Sequence, residues 1–138
     1  MEKEEKLLEL DVVTPERVMV TEHVEQVNVP GIEGDLGILL GHTALLTSLR
    51  PGSLSYKKGE DIISMVVTGG YLEVSDNRVI VLADDADFLD EIDREYAEKE
   101  KSEAENLLEK TDLTNSDFQE AQLKLFRAVA RLEHSPKE

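Results

Sequence analysis

The chain has 138 residues, of which 40% are hydrophobic and 33% charged, with a formal net charge of -16 and no cysteine. This length accommodates one ordinary domain, or a small domain with an appendage. The negative charge opposes binding to nucleic acid phosphates and to anionic lipid head groups. The lack of cysteine excludes disulfides, thiolate metal sites and a cysteine nucleophile. No run approaches the roughly 18 apolar residues of a membrane-spanning helix, and the acidic N-terminus does not fit a signal or transit peptide.

Residues 7–86 show the pattern of β-strands, because short β-branched runs alternate with turn residues at intervals of about ten. Alternating positions predict buried faces on the first two strands: Leu8, Leu10 and Val12, then Val18 and Val20. Two hairpins are predicted, with turns at Lys58-Gly59-Glu60 and Ser75-Asp76-Asn77. This pattern is typical of an all-β sandwich or barrel.

The composition changes after residue 86, where glycine disappears and Glu, Lys, Ala and Leu become frequent. These residues favour helix. We predict a first helix from an N-cap at Asp90 to about Lys110. A capping box of Ser116 and Gln119 predicts a second helix that ends near Glu133. A short connection makes the pair an antiparallel hairpin.

The two predicted helices differ in the apolar surface that they can bury. The first carries Ile92, Tyr96, Ala97, Ala104, Leu107 and Leu108, and the second Phe118, Ala121, Leu125, Ala128 and Leu132. The first stripe is thin and interrupted by charges, so the hairpin is close to the limit of independent stability. We therefore divide the chain into residues 1–86, a β-sandwich domain, and residues 87–138, a mobile helical hairpin.

A glycine-rich stretch, VPGIEGDLGILLGHTALLTSLRPGSL, raises three hypotheses: a phosphate loop, a site built on His42, or a recognition surface. The glycine spacing fits neither the dinucleotide fingerprint nor the P-loop. Glu33, Asp35 and His42 leave open a weak acid–base cluster, but no ligand spacing predicts a metal site. The composition favours a rigid, turn-rich surface that meets a partner.

Three cations of the second helix, Lys124, Arg127 and Arg131, lie on roughly one side at positions i, i+3 and i+7. They form either an ordinary solvated face or a docking edge for an acidic partner or a polyphosphate.

Several segments carry a family likeness: VVTPERVMV, the glycine-rich stretch, VTGGYLEV, RVIVLADDAD and LKLFRAVARL. In this order and spacing they resemble the epsilon subunit of the bacterial F-type ATP synthase, over about residues 8–132. The resemblance implies a flattened antiparallel β-sandwich followed by a two-helix hairpin. It implies a non-catalytic subunit of the central rotary stalk, which couples proton translocation to ATP synthesis. The hairpin is then expected to restrain ATP hydrolysis.

The resemblance also implies partners. The sandwich would bind the gamma subunit and the ring of c subunits, with Glu33, Gly34, Asp35 and His42 in the segment that faces the ring. Lys124, Arg127 and Arg131 match a basic edge that approaches the beta subunit, next to alpha, when the hairpin extends. Nucleic acid and direct membrane insertion are not expected. The place implied is the cytoplasmic face of the bacterial cell membrane, as a peripheral protein.

Some members of this family bind ATP between the folded helices through an Ile-Asp-x-x-Arg-Ala motif and arginines of the second helix. The matching positions here are Ile92, Asp93, Ala97, Arg127 and Arg131. Tyr96 replaces the motif arginine, and loss of a charge-assisted hydrogen bond costs about 1 to 3 kcal/mol. We therefore expect weak or absent ATP binding and no cofactor.

Two alternatives remain at this point. A free-standing, nucleotide-sensing regulatory module predicts compaction of the hairpin on ATP binding, against which Tyr96 counts. A small hydrolase using His42 and Asp35 predicts activity of the isolated chain that His42→Ala abolishes.

Overall fold

The computed structural model describes residues 7–110 and 112–134. The first part contains ten strands: β1 Leu8–Val13, β2 Val18–Val24, β3 Gln26–Gly31, β4 Gly34–Ile38, β5 Leu45–Leu49, β6 Gly52–Lys58, β7 Asp61–Val67, β8 Gly70–Ser75, β9 Arg78–Ala83 and β10 Ala86–Phe88. A short 3-10 turn at Leu89–Glu91 precedes the helices α1, Arg94–Leu108, and α2, Asn115–His134. The predicted class, a β-sandwich followed by a helical hairpin, is confirmed.

The strands follow the order β10-β7-β6-β3-β5-β8-β9-β1-β2, with β4 added to β3. The path folds over between β3 and β5, which share the single pair Gly31 and Leu49. At the other edge only Glu25 separates β2 from β3. Side chains from both halves form one apolar core, with fully buried members Leu8, Leu10, Val12, Val27, Ile38, Leu54, Met65, Leu72, Val79 and Val81.

One strand pair departs from the antiparallel arrangement that we predict. β1 runs parallel to β9, with Leu10 opposite Val79 and Val12 opposite Val81. Every other pair among the described strands is antiparallel. A tight turn forces neighbouring strands to be antiparallel, but β1 and β9 are far apart in the chain, so no turn fixes their direction.

Both predicted hairpin turns are confirmed. β6 and β7 are joined at Gly59, whose φ of 65° suits glycine. β8 and β9 are joined at Asp76 and Asn77, with φ of 53° and 61°. Positive φ at both central residues is the mark of a type I′ turn, whose twist matches the flanking strands.

The predicted burial of Val18 is wrong. Val12 pairs with Val20 but Val13 pairs with Val18, so Met19 forms a bulge in β2. Because a bulge sets two residues against one, it reverses the side on which the preceding residues point. Val20 is buried as predicted, whereas Val18 is 61% exposed.

The chain divides into two compact units between Phe88 and Leu89. β10 extends the first unit past the boundary predicted after residue 86, because Asp87 and Phe88 pair with Val66 and Met65 of β7.

The helix caps lie elsewhere than predicted. Asp90 falls in the 3-10 turn, and the N-cap of α1 is Asp93, whose Oδ1 accepts the backbone N–H of Tyr96 at 3.2 Å. At α2 the backbone N–H of Asp117 donates to Thr114 Oγ1 at 3.0 Å. Thr114 therefore caps this helix in place of the predicted box at Ser116. In both cases a side-chain oxygen satisfies an N–H group of the first turn.

The helical unit buries small residues. Ala97 and Ala104 are the buried residues of α1, and Ala121, Ala128 and Ala130 are those of α2. Tyr96 and Phe118, which we place in the apolar stripes, are 56% and 42% exposed. The hairpin thus has the thin apolar interior that the sequence predicts.

Candidate functional site

The turn between β3 and β4 forms a tight, exposed tip. Gly31 pairs with Gly34, and Ile32 and Glu33 form the turn between them. A Cβ on Gly31 would lie 2.6 Å from the Gly34 carbonyl oxygen, and Gly34 has a φ of 139°. Since L side chains rarely adopt that φ, the two glycines let the chain reverse here. The Glu33 side chain therefore projects from a closely paired hairpin.

Arg50 fixes this tip to the neighbouring strand β5. Its Nη2 donates to Asp35 Oδ1 at 2.5 Å, its Nη1 donates to the Gly31 carbonyl oxygen, and its backbone N–H donates to Pro30 O at 3.0 Å. The backbone N–H of Ile32 donates to Ser48 O at 2.9 Å. A guanidinium that bridges a carboxylate and a carbonyl restrains both groups. Asp35 is thus part of the structure of the tip.

His42 lies in a second loop, which leads from β4 to β5. Its backbone N–H donates to Leu39 O at 3.1 Å, and its Nδ1 donates to Thr43 O at 2.8 Å. The Gly41 N–H donates to Asn77 Oδ1 at 2.7 Å, which attaches the loop to the β8–β9 turn. Side-chain and backbone bonds of this kind stabilise a loop without requiring a ligand.

The structure brings Glu33, Gly34 and Asp35 together and places His42 apart from them. Asp35 lies within β4, and the extended chain from Asp35 to Ile38 spans about 10 Å at 3.3 Å per residue before the second loop begins. This extended strand between Asp35 and the loop of His42 argues against the acid–base cluster of Glu33, Asp35 and His42 that the sequence left open. Among residues 7–110 and 112–134, no group of three or more His, Asp and Glu residues is arranged to hold a metal ion.

An exposed apolar band crosses the outer face of the layer formed by β5, β8, β9, β1 and β2. Tyr71 pairs with Leu82, Leu82 with Val13, and Val13 with Val18. Directly paired residues point to the same face with Cβ atoms about 5 Å apart, so these four side chains form a continuous row. Tyr71 is 59% exposed, Leu82 52% and Val18 61%. We call this row the outer band.

Sequence reasoning missed the outer band. Tyr71 and Leu82 occupy the outward positions of alternating strands, where a polar residue is the usual choice. That signal was available in GYLEV and RVIVLA. The row itself depends on the β1–β9 register and on the bulge in β2, neither of which the sequence predicts.

The basic edge of α2 contacts acidic residues of α1. Arg131 Nη1 lies 3.1 Å from Glu100 Oε1, and Lys124 Nζ lies 3.1 Å from Glu103 Oε1. Arg127 is half-buried on the same helix. In α1, Arg94 Nη1 donates to the Leu132 carbonyl oxygen at 2.9 Å. These contacts join the start of α1 to the end of α2, and the middle of α1 to the second half of α2. This is the arrangement of an antiparallel hairpin.

The positions that the resemblance assigns to ATP do not form a nucleotide site. Asp93 is the N-cap of α1, Ala97 is buried, and Ile92 is half-buried. Tyr96 is exposed at the position of the motif arginine. Arg131 is already paired with the carboxylate of Glu100. The residues present therefore do not fit a bound triphosphate.

In the described part of the chain, no helix is long and apolar enough to cross a membrane. The fold and its surfaces define a two-domain binding protein, in which a β-sandwich with a braced tip and an apolar outer band is followed by a helical hairpin.

Comparison with known proteins identifies the class. The β-sandwich domain of the ATP synthase delta/epsilon chain matches residues 7–88, and the long α-helix domain of the same chain matches residues 90–135. An ATP synthase epsilon chain of Herpetosiphon aurantiacus is 41% identical over 126 residues, covering 91% of this chain and 92% of the relative. One from Anaeromyxobacter dehalogenans is 43% identical, covering 91% and 95%.

Solved structures agree on the fold. A chain in the cryo-EM structure of the Euglena gracilis mitochondrial ATP synthase, which comprises OSCP, F1 and the c-ring, aligns with a TM-score of 0.72 at 24% identity, covering 94% of this chain and 82% of that one. The chain belongs to the ATP synthase epsilon chain family. As the resemblance implied, it is a non-catalytic subunit of an ATP synthase.

Proposed function

We propose that this subunit couples proton translocation to ATP synthesis by joining the gamma subunit to the c ring through its sandwich, and that its hairpin restrains ATP hydrolysis. The observation that carries the proposal is that two exposed surfaces, the tip and the outer band, lie on the same β-sandwich. A coupling part must transmit torque, so its contacts must lie on an element that does not deform.

The tip supports contact with the c ring. Glu33 stands at the end of a hairpin that Arg50 braces through Asp35 and the Gly31 carbonyl. A braced hairpin loses little conformational entropy on binding. Gly34 keeps the turn tight, since it has a φ of 139°. His42 lies beyond the far end of β4, so we assign the ring contact to Glu33, Gly34 and Asp35 and leave His42 out of it.

The outer band supports contact with gamma. Exposed apolar residues scattered singly are ordinary, but a contiguous row marks an interaction surface. The row lies toward the tip, because Ser48, which pairs with Tyr71, also accepts the N–H of Ile32. Ile32 is itself 54% exposed. A partner on the outer band therefore reaches the neighbourhood of the ring contact.

The hairpin supports a regulatory role through its weak interior and its charges. Its buried residues are alanines, each of which contributes little to the hydrophobic free energy. Lys124, Arg127 and Arg131 offer cations to an acidic loop of the beta subunit once the helices extend. We place the subunit at the cytoplasmic face of a bacterial membrane, held there by its partners.

Cross-linking tests the ring contact in the assembled enzyme. Because the chain has no cysteine, Glu33→Cys introduces a single thiol at the tip. Glu60→Cys is the matched control, since Glu60 is an exposed acid in the β6–β7 turn. That turn lies at the opposite end of the sandwich, because Lys57 pairs with Gln26 at the start of β3.

We expect Glu33→Cys to form a product with a c subunit bearing a cysteine in its polar loop, and Glu60→Cys to form none. Proton pumping driven by ATP should continue after the cross-link forms, because in the proposed function the subunit and the c ring turn together. Equal yields from the two positions would contradict the assignment of the tip.

A further inference from the structure

The basic edge of the hairpin is matched by two carboxylates on the facing helix. Glu100 and Glu103 are one turn apart on α1, and residues at this spacing share a face. Arg131 and Lys124, their partners, are two turns apart on α2 and also share a face. The pairs Glu100–Arg131 and Glu103–Lys124 both measure 3.1 Å.

The two pairs differ in burial. The side chains of Arg131 and Glu100 are 15% and 16% exposed, whereas those of Lys124 and Glu103 are 30% and 50% exposed. Exposed pairs contribute little because water screens them. A shielded pair is different, since removal of one partner leaves the other as an uncompensated charge. Glu100–Arg131 is therefore the stronger of the two links.

A third contact closes the open end of the hairpin. Arg94 donates to the carbonyl oxygen of Leu132, in the last turn of α2. A cation near a helix C-terminus is favourable, because the last carbonyls lack partners within the helix. Arg94 is the cation that the sequence offers two positions before Tyr96, and its Nη1 contacts the backbone of α2.

These contacts engage two cations, Arg94 and Arg131, that an anionic ligand at the hairpin would have to compete for. A phosphate that approached Arg131 would have to displace the Glu100 carboxylate and leave it shielded without its cation. Tyr96 supplies no replacement charge.

We propose that the closed hairpin of this protein is fastened by its own carboxylates, with Glu100 on Arg131 as the main latch, and that no nucleotide is needed to close it. As a means of regulation the latch rests on the proposed function, because only a hairpin that extends can restrain hydrolysis. Opening of the hairpin releases Arg131 and Lys124 together, so the cations that α1 holds become available to an acidic partner.

Energy transfer within the full chain measures the latch. Ser102→Cys and Gln122→Cys place dyes on exposed positions of α1 and α2, in a chain with no other cysteine. Glu100→Gln removes the charge and keeps the size of the side chain. Glu105→Gln is the matched control, since it removes one charge at an exposed position of the same helix.

We expect Glu100→Gln to raise the ratio of open to closed hairpin about tenfold at low salt, as the loss of a shielded charge pair implies. Glu105→Gln should leave this ratio unchanged. Salt should open the wild-type hairpin more than the Glu100→Gln hairpin. The double variant Glu100→Arg with Arg131→Glu should restore closure, which shows that any loss in the single variant comes from the pair and not from misfolding.

Two results would overturn the latch. One is an open fraction in Glu100→Gln equal to that of the Glu105→Gln control. The other is closure of the wild-type hairpin by ATP at submillimolar concentration. Measuring ATP hydrolysis by the assembled enzyme distinguishes failure of the latch from failure of the proposed restraint of hydrolysis. If Glu100→Gln opens the hairpin and hydrolysis does not change, the latch stands and the proposed restraint of hydrolysis fails.

Discussion

Truncation of Tyr71 tests whether the outer band binds gamma. Aromatic side chains bury about 150 to 250 Å² when fully covered, and Tyr71 is 59% exposed. About 90 to 150 Å² therefore remains for a partner to cover, which at about 25 cal/mol per Å² corresponds to 2 to 4 kcal/mol. Since part of this area is polar, we take about 2 kcal/mol, or a thirtyfold weaker Kd for Tyr71→Ala.

Leu82→Ala should act in the same direction with a smaller effect. Leu82 is 52% exposed, and full burial of a leucine contributes about 1.5 to 3 kcal/mol. About half of that is available, so we expect a Kd weaker by about fivefold. Calorimetric titration with purified gamma measures both variants.

Ile62→Ala is the matched control for these variants. Ile62 is 69% exposed but lies on β7, outside the outer band. The variants of Tyr71 and Ile62 should each change the free energy of unfolding by less than about 1 kcal/mol, since both side chains are largely in water. A Tyr71→Ala chain that binds gamma within twofold of the wild type would refute the reasoning, as would an equal loss in Ile62→Ala.

Three further predictions concern the sandwich. Gly70→Ala should cost more than about 3 kcal/mol in urea unfolding, because φ is 132° and the new Cβ would lie 2.1 Å from a backbone carbonyl oxygen; a loss below about 1 kcal/mol would contradict this. Stability should fall above about pH 10, because the hydrogen bond that Lys58 donates to Glu22 raises the pKa of Lys58, and burial, then the charge of Glu22, raises the pKa of Tyr56. A group with a raised pKa stabilises the fold below its ordinary pKa and loses that contribution as pH rises through the raised value, so Glu22→Gln should flatten the decline; identical profiles between pH 8 and 11 would argue against it. Arg50→Lys should speed amide exchange at the tip and lower the free energy of unfolding by no more than about 1 kcal/mol, since its partner Asp35 is 79% exposed; unchanged exchange would show that the brace does not hold the tip.

Local sequence signals predicted the elements that local contacts determine. The turns at Gly59 and at Asp76 follow from residues that tolerate positive φ, and the helical half follows from composition. Helix ends were less accurate, because several residues near each start were able to cap. Asp93 and Thr114 are the N-caps of α1 and α2, in place of the predicted Asp90 and Ser116.

Features that join distant parts of the chain could not be predicted from sequence patterns. The parallel β1–β9 pair and the bulge at Met19 decide which side Val18 faces, and no turn chemistry specifies either. The separation of His42 from Glu33 also needed the structure, since nearness in sequence suggested one cluster and an extended strand holds them apart. The Glu100–Arg131 pair depends on the register of two packed helices, which a thin apolar stripe does not fix.

We propose that the sandwich binds the stalk and that the hairpin restrains hydrolysis. The most direct test is ATP hydrolysis by the assembled synthase containing either the full chain or a chain that ends at Phe88, where the two units divide. We predict that the truncated subunit still assembles with gamma and the c ring and that hydrolysis rises severalfold. Equal hydrolysis by the two assemblies, with equal subunit content, would contradict the claim.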